Sequence, residues 1–352
     1  MQYPSFIPPW YLRNGLMMTL FIALVAQRLE KTTNLPPEPT YQPRVFRGAG
    51  NVPIFGWLAT SHPSSPSRGT IVGTYGITGT LDNQWFLRLL GRKAFARGYS
   101  VLLFDWRAHG KTAELSPTLT SDGLCEGDDF VHIAAQAKAA GCPSPFWFMG
   151  FSLGGQLALW GVKASQAIAP SSGLDISEAE IGGGAVICPN LDSNRSLTYL
   201  MNAPLGRYLE KAIAKELKRL AQRISDDHPN TLDPDAIART TSIRGFDREL
   251  VIDRLGFSSV SEYYEASSPL PLLPHLRKPT LIIYAADDPM FDPAVIADLE
   301  TACQHNSAVD LVLTQCGGHV GYYSSRYGQK QANDPDPWWA WNRILDWCDR
   351  KV

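Results

Sequence analysis

A serine flanked by glycines is the first feature of this chain that could do chemistry. Gly150-Phe151-Ser152-Leu153-Gly154 is a G-x-S-x-G pattern, with Gly155 following. The apolar run PFWFM precedes it and an Ala/Leu-rich stretch follows it. This context predicts a strand, a sharp turn and a helix, with the Ser152 hydroxyl exposed on the turn. Glycines on either side leave room where side chains would collide with the neighbouring strand and helix. The helix N-terminus also favours negative charge developing nearby. A serine hydroxyl is a poor nucleophile at neutral pH. It needs a base within hydrogen-bond reach and a third group to orient that base.

Both partners are expected later in the chain, acid before histidine, each after a late strand. Asp287-Asp288-Pro289 follows LIIYAA, and His319 lies in Cys316-Gly317-Gly318-His319-Val320-Gly321 after LVLTQ. A small residue at the strand end with the carboxylate three positions on favours Asp288, Ala285 being the small residue. Asp287 is the alternative, and Asp292 lies too far along, at the N-cap of the next helix. The glycines near His319 let a loop return the imidazole over Ser152. Two backbone N–H groups are needed for an oxyanion. Leu153, the residue after the nucleophile, supplies one. Ile77, in Tyr75-Gly76-Ile77-Thr78-Gly79 after an early strand, is expected to supply the other. His109 follows an earlier strand and reads as part of the site rim. His62, His132, His228, His275 and His305 have no strand-end context and read as surface or core residues.

Rival motifs fail on context. Gly110-Lys111-Thr112 resembles the end of a P-loop, but Asp105 stands where a glycine is required. His228 and Asp233 have the H-x4-D spacing of glycerolipid acyltransferases without the usual surroundings. There is no metal-ligand spacing and no dinucleotide fingerprint, so no cofactor and no metal are expected.

The elements that must position these residues alternate. Strands are predicted at Thr70–Tyr75, Val101–Trp106, Phe146–Phe151, Ala185–Cys188, Leu281–Ala285 and Val309–Thr314. Helices are predicted over Leu81–Arg97, Asp128–Ala140, Leu153–Lys163, a segment ending at Leu299, and Pro337–Asp349. Such alternation implies an α/β fold, a mostly parallel central sheet with helices on both faces. Residues 191–278 break the rhythm. Leu205, Tyr208, Leu209, Ile213, Leu217, Leu220 and Ile224 recur at helical steps, with Arg207, Lys211, Lys215, Lys218, Arg219 and Arg223 around them. This reads as an inserted helical cap with a solvated basic face; the alternative is a lid that touches anionic lipid. The expected division is an N-terminal arm packed on the core (1–48), a core (49–190 and 279–352) and a cap (191–278).

Composition fits an enzyme of this kind. The 352 residues are 44% hydrophobic, which excludes a disordered chain, and carry a net charge of −2, which argues against nucleic-acid binding. The 29 glycines and 26 prolines point to many tight loops. None of the six cysteines forms a Cys-x-x-Cys pair, which favours a reducing, cytoplasmic setting. Leu16–Ala26 is apolar but shorter than the ~20 residues a spanning helix needs. It reads as a retained arm rather than a cleaved signal, with shallow insertion at a membrane surface as its alternative use.

These blocks together resemble the α/β-hydrolase superfamily, and within it the YheT-type branch that includes the ABHD-type lipases. The resemblance rests on the arm Pro8-Pro9-Trp10-Tyr11-Leu12-Arg13-Asn14-Gly15, the Gly76 loop, and the blocks around Ser152 and His319. It also rests on Phe246-Asp247, Gly256-Phe257, Tyr263-Tyr264, Ser267-Ser268, Pro279 and Asp287-Asp288. Three departures stand out: Met17-Met18 for the branch's His-Gln, Tyr75-Gly76 for its His-Gly, and Arg107-Ala108 for its Arg-Gly. The resemblance implies an α/β-hydrolase fold and hydrolysis of small-molecule or lipid esters; peripheral membrane contact through the arm or the cap is the alternative that their own apolar and basic residues offer. Two rivals remain at this point: an acyltransferase using the same triad, and a non-catalytic binding protein on a hydrolase fold.

Overall fold

A computed structural model describes residues 3–30, 35–61, 68–168 and 173–351; His62 lies outside them. Eight strands form one sheet: β1 (Gln42–Arg47), β2 (Pro53–Ala59), β3 (Thr70–Thr74), β4 (Ser100–Phe104), β5 (Phe146–Phe151), β6 (Ile181–Ile187), β7 (Thr280–Ala285) and β8 (Val309–Thr314). Their spatial order is β1-β2-β4-β3-β5-β6-β7-β8. β2 runs antiparallel to both β1 and β4, while β3 through β8 run parallel to one another. Every residue of β3, β4, β5 and β7 is buried. Successive side chains point to opposite faces, so both faces are covered, as parallel sheets require. Helices Trp85–Ala96, Glu126–Ala139, Leu153–Ser165 and Trp339–Asp349 supply that cover.

Boundaries differ from the sequence reading where local bonds intervene. The helix expected from Leu81 begins at Trp85, because Leu81 N–H donates to Asp105 Oδ1 at 2.8 Å and Asn83 N–H closes a turn on Thr80 O. The helix ending near Leu299 spans Val295–Gln304.

Between β6 and β7 the chain forms helices Ser193–Asn202, Pro204–Asp227, Pro234–Arg239 and Val260–Ser267, among shorter turns. Asp192 and Ser259 cap two of them, accepting from Arg195 N–H and Glu262 N–H. Leu217, Leu220, Ile224, Ile237, Phe246, Tyr263 and Tyr264 form an apolar cluster separate from the main core. On the long helix Leu217, Leu220 and Ile224 are buried, while Leu209 and Ile213 are half-buried. Leu205 and Tyr208, expected on that face, are exposed at 41% and 71%.

Candidate active site

Ser152 stands between β5 and helix Leu153–Ser165 with φ 54° and ψ −129°, a conformation a serine adopts only under constraint. The constraint is visible on each side. Ser152 N–H donates to Ile187 O at 3.0 Å, and Ser152 O accepts from Gly155 N–H at 3.0 Å. A Cβ on Gly150 would lie 2.1 Å from Gly154 O, and one on Gly154 would lie 2.4 Å from Tyr75 O. Backbone packing this tight admits only glycine, which is the physical content of the motif.

The loop after β8 brings His319 to the serine. Its Nε2 lies 2.9 Å from Ser152 Oγ, and its Nδ1 lies 2.8 Å from Asp288 Oδ2. A carboxylate only accepts, so Nδ1 carries the proton and Nε2 accepts from the serine hydroxyl. Asp288 is held in turn by Met290 N–H, which donates to Oδ1 at 2.8 Å. Phe291 packs edge-on against the imidazole at 5.1 Å. Asp287 is not at the imidazole. It accepts Gly318 N–H at 2.9 Å, on the backbone of the His319 loop, and burial raises its pKa.

Ile77 and Leu153 line the same cleft as Ser152. Among the described residues, neither of their N–H groups has a hydrogen-bond partner. Gly76 brings its loop so close that a Cβ there would lie 3.1 Å from Ser152 Cβ.

A second network fixes this loop; of its members the sequence placed only His109, at the site rim. The Asp105 carboxylate, at the end of β4, accepts from Tyr75 OH, from Leu81 N–H at 2.8 Å and from Lys111 N–H at 2.9 Å. Burial pushes Asp105 up to about 6. His109 donates from Nδ1 to Arg107 O at 2.9 Å and accepts Thr78 N–H on Nε2 at 3.1 Å. It stacks on Trp106 at 3.6 Å, and burial pushes its pKa down to about 3, so it is a neutral pin. Arg107 is paired with Asp129 through two hydrogen bonds at 2.7 and 2.8 Å. The departures noted above fall on these contacts. Tyr75 reaches Asp105, Ala108 takes a left-handed φ of 64° that suits glycine better, and Met18 is fully buried beside Gly321 of the His319 loop.

A cleft of about 100 Å³ lies beside Ser152. Leu197, Leu200, Ile213, Leu217, Leu220 and Phe246 form an apolar wall from the helices between β6 and β7, and Met290 and Phe291 close it from the core side. Thr120, Asp122, Asn190, Ser193, Ser196 and Asp247 make a polar wall. Asp122 and Asp247 are buried, and both pKa values are raised, first by burial; each carboxylate lies within the other's field.

A β-strand, a strained serine turn and a helix, set in a mostly parallel eight-stranded sheet, define a hydrolase of the α/β class. The alpha/beta hydrolase family model matches residues 77–329, and the chain belongs to that family. It is 54% identical over 99% of its length, and 95% of the relative's, to a Synechocystis protein named "Putative esterase slr0264". It is 25% identical to human phospholipase ABHD3 over 75% of this chain and 61% of that one. Among solved structures it resembles the Pyrococcus furiosus esterase Pf2001, with a TM-score of 0.54 at 18% identity over 99% of both chains. That likeness concerns the fold.

Proposed function

We propose that the protein is a serine hydrolase of carboxylic esters, acting on acyl-lipid or medium-chain substrates. The observation that carries this reading is the relay Asp288–His319–Ser152, with contacts of 2.8 and 2.9 Å, at the edge of an apolar cleft. Ser152 Oγ attacks the ester carbonyl as His319 Nε2 takes its proton. The Ile77 and Leu153 N–H groups receive the oxyanion. His319 then protonates the leaving alkoxide, and the acyl-enzyme remains. Water, deprotonated by His319, attacks that ester and releases the acid, regenerating Ser152. Asp288 holds the imidazole tautomer and stabilises the imidazolium. The helices of residues 191–278 serve as a cap, their apolar wall taking the acyl chain. The printed names of the relatives, esterase and phospholipase, point to the same chemistry.

The arm exposes Trp10, Tyr11, Met17, Leu24 and Val25, which supports peripheral contact with a lipid surface. Among the described residues no helix is long and apolar enough to cross a membrane. A panel of p-nitrophenyl esters from acetyl to lauroyl tests the function. Turnover is expected in the wild type, with Ser152→Ala slower by roughly 10^4-fold or more. Equal turnover by folded Ser152→Ala would overturn the assignment.

A further inference from the structure

Helix Gly15–Phe21 lies against the loop that carries His319. The Thr19 hydroxyl donates to Gly15 O at 2.7 Å, which commits its hydrogen. Its lone pairs are then left to accept, and His319 N–H donates to Thr19 Oγ1 at 2.8 Å. The preceding amide, Gly318 N–H, donates to Asp287 Oδ1 at 2.9 Å. Two consecutive amides of the loop are therefore held from two different parts of the chain. The contact is close throughout. A Cβ on Gly318 would lie 2.4 Å from Gly15 O and 2.8 Å from Thr19 Oγ1, and one on Gly15 would lie 1.8 Å from Asp287 O.

The loop needs such anchors. Gly318, Val320 and Tyr322 have φ values of 59°, 59° and 44°. A β-branched residue in the left-handed region is strained, and such strain persists only where the surroundings over-determine the backbone. Immediately beyond the anchored amide, the His319 side chain spans the gap between Asp288 and Ser152.

We propose that Thr19 is a positioning residue for His319. Its side-chain oxygen fixes the His319 backbone so that Nε2 stands within reach of Ser152 Oγ and Nδ1 within reach of Asp288. This inference rests on the reading of His319 as the general base. It assigns the N-terminal segment a part in the reaction without contact to substrate. A small displacement of a catalytic group costs up to about 100-fold in rate.

Thr19→Val keeps the shape and removes the acceptor; Thr19→Ser keeps the acceptor. In full-length protein, Thr19→Val is expected to lower kcat and the rate of fluorophosphonate labelling at Ser152 roughly 10- to 100-fold with KM little changed, and Thr19→Ser to restore both. A proton NMR spectrum reads the same geometry without any ester. The downfield His319 Nδ1–H resonance should shift or broaden in Thr19→Val and not in Thr19→Ser. Wild-type kcat and an unmoved resonance in folded Thr19→Val would overturn the proposal. So would a loss of equal size in Thr19→Ser, because bulk and not the acceptor would then be at work. If the wild type turns over no ester, the functional reading fails, and the resonance comparison still decides the role of Thr19.

Discussion

Replacing Asp247 by Asn should stabilise the protein, and increasingly so as pH rises. Asp247 is 5% exposed in the wall of the cleft, and Tyr264 OH donates to its Oδ2. Burial pushes its carboxyl up to about 7 from an ordinary 3.8, and Asp122 and Glu126 lie in the same acidic surroundings. For an acid whose pKa is raised on folding, the folded state binds more protons than the unfolded chain between the two values. Stability therefore falls as pH rises through that window. A difference of about three pH units at 1.36 kcal/mol each gives ~4 kcal/mol for ionising the buried group, an upper figure because Asp122 shares the effect. Asparagine carries no such penalty and keeps an oxygen for Tyr264, losing about 1 kcal/mol of charge assistance. The stability of Asp247→Asn relative to wild type, from urea unfolding, should grow by ~2–3 kcal/mol between about pH 5 and 8.5. A difference that is constant with pH, or that shrinks as pH rises, would refute the argument.

Two further outcomes follow from other parts of the molecule. His109→Ala removes the acceptor of Thr78 N–H and the stack on Trp106, loosening the loop that carries Ile77. A fall in kcat of roughly 10- to 100-fold is expected, with the acid limb of the pH–rate profile unmoved because His109 already titrates near 3. A displaced acid limb would mean that His109 takes part in proton transfer. The arm exposes Trp10 at 80% and Leu24 at 68%. In flotation assays the wild type should rise with phospholipid vesicles more than a Trp10→Ser/Leu24→Ser double variant does; identical behaviour of the two would remove the arm from any membrane contact.

Much of the sheet could be read from the chain because buried parallel strands are apolar runs, as in FWFMGF and TLIIYA. β1 was invisible for the opposite reason. QPRVFR is an edge strand, mostly exposed, with a proline that an interior strand would not tolerate. β2 carries Gly56, where a Cβ would lie 3.0 Å from Leu103 O, and its short mixed run gave no clear period. The exposed start of helix Pro204–Asp227 shows the limit of periodicity: it marks a face, and not how far a partner covers it. Ser152, Asp288 and His319 were legible because each sits at a strand end within its own local pattern. Asp287 shares the strand-end pattern of Asp288, and only the fold separates their roles; Thr19 and Asp105 carry no such pattern. Both act on backbone amides of other segments, Asp105 on Leu81 and Lys111 and Thr19 on His319 across 300 positions, and only the folded chain brings these together.

The central claim is that Ser152 is a nucleophile activated by His319. The measurement that meets it most directly is reaction of the purified protein with a fluorophosphonate, with the modified residue located by mass spectrometry. One adduct on Ser152 is expected, absent in Ser152→Ala and formed far more slowly in His319→Gln. A folded protein that takes up no label, or one labelled equally when Ser152 is replaced, would contradict the account.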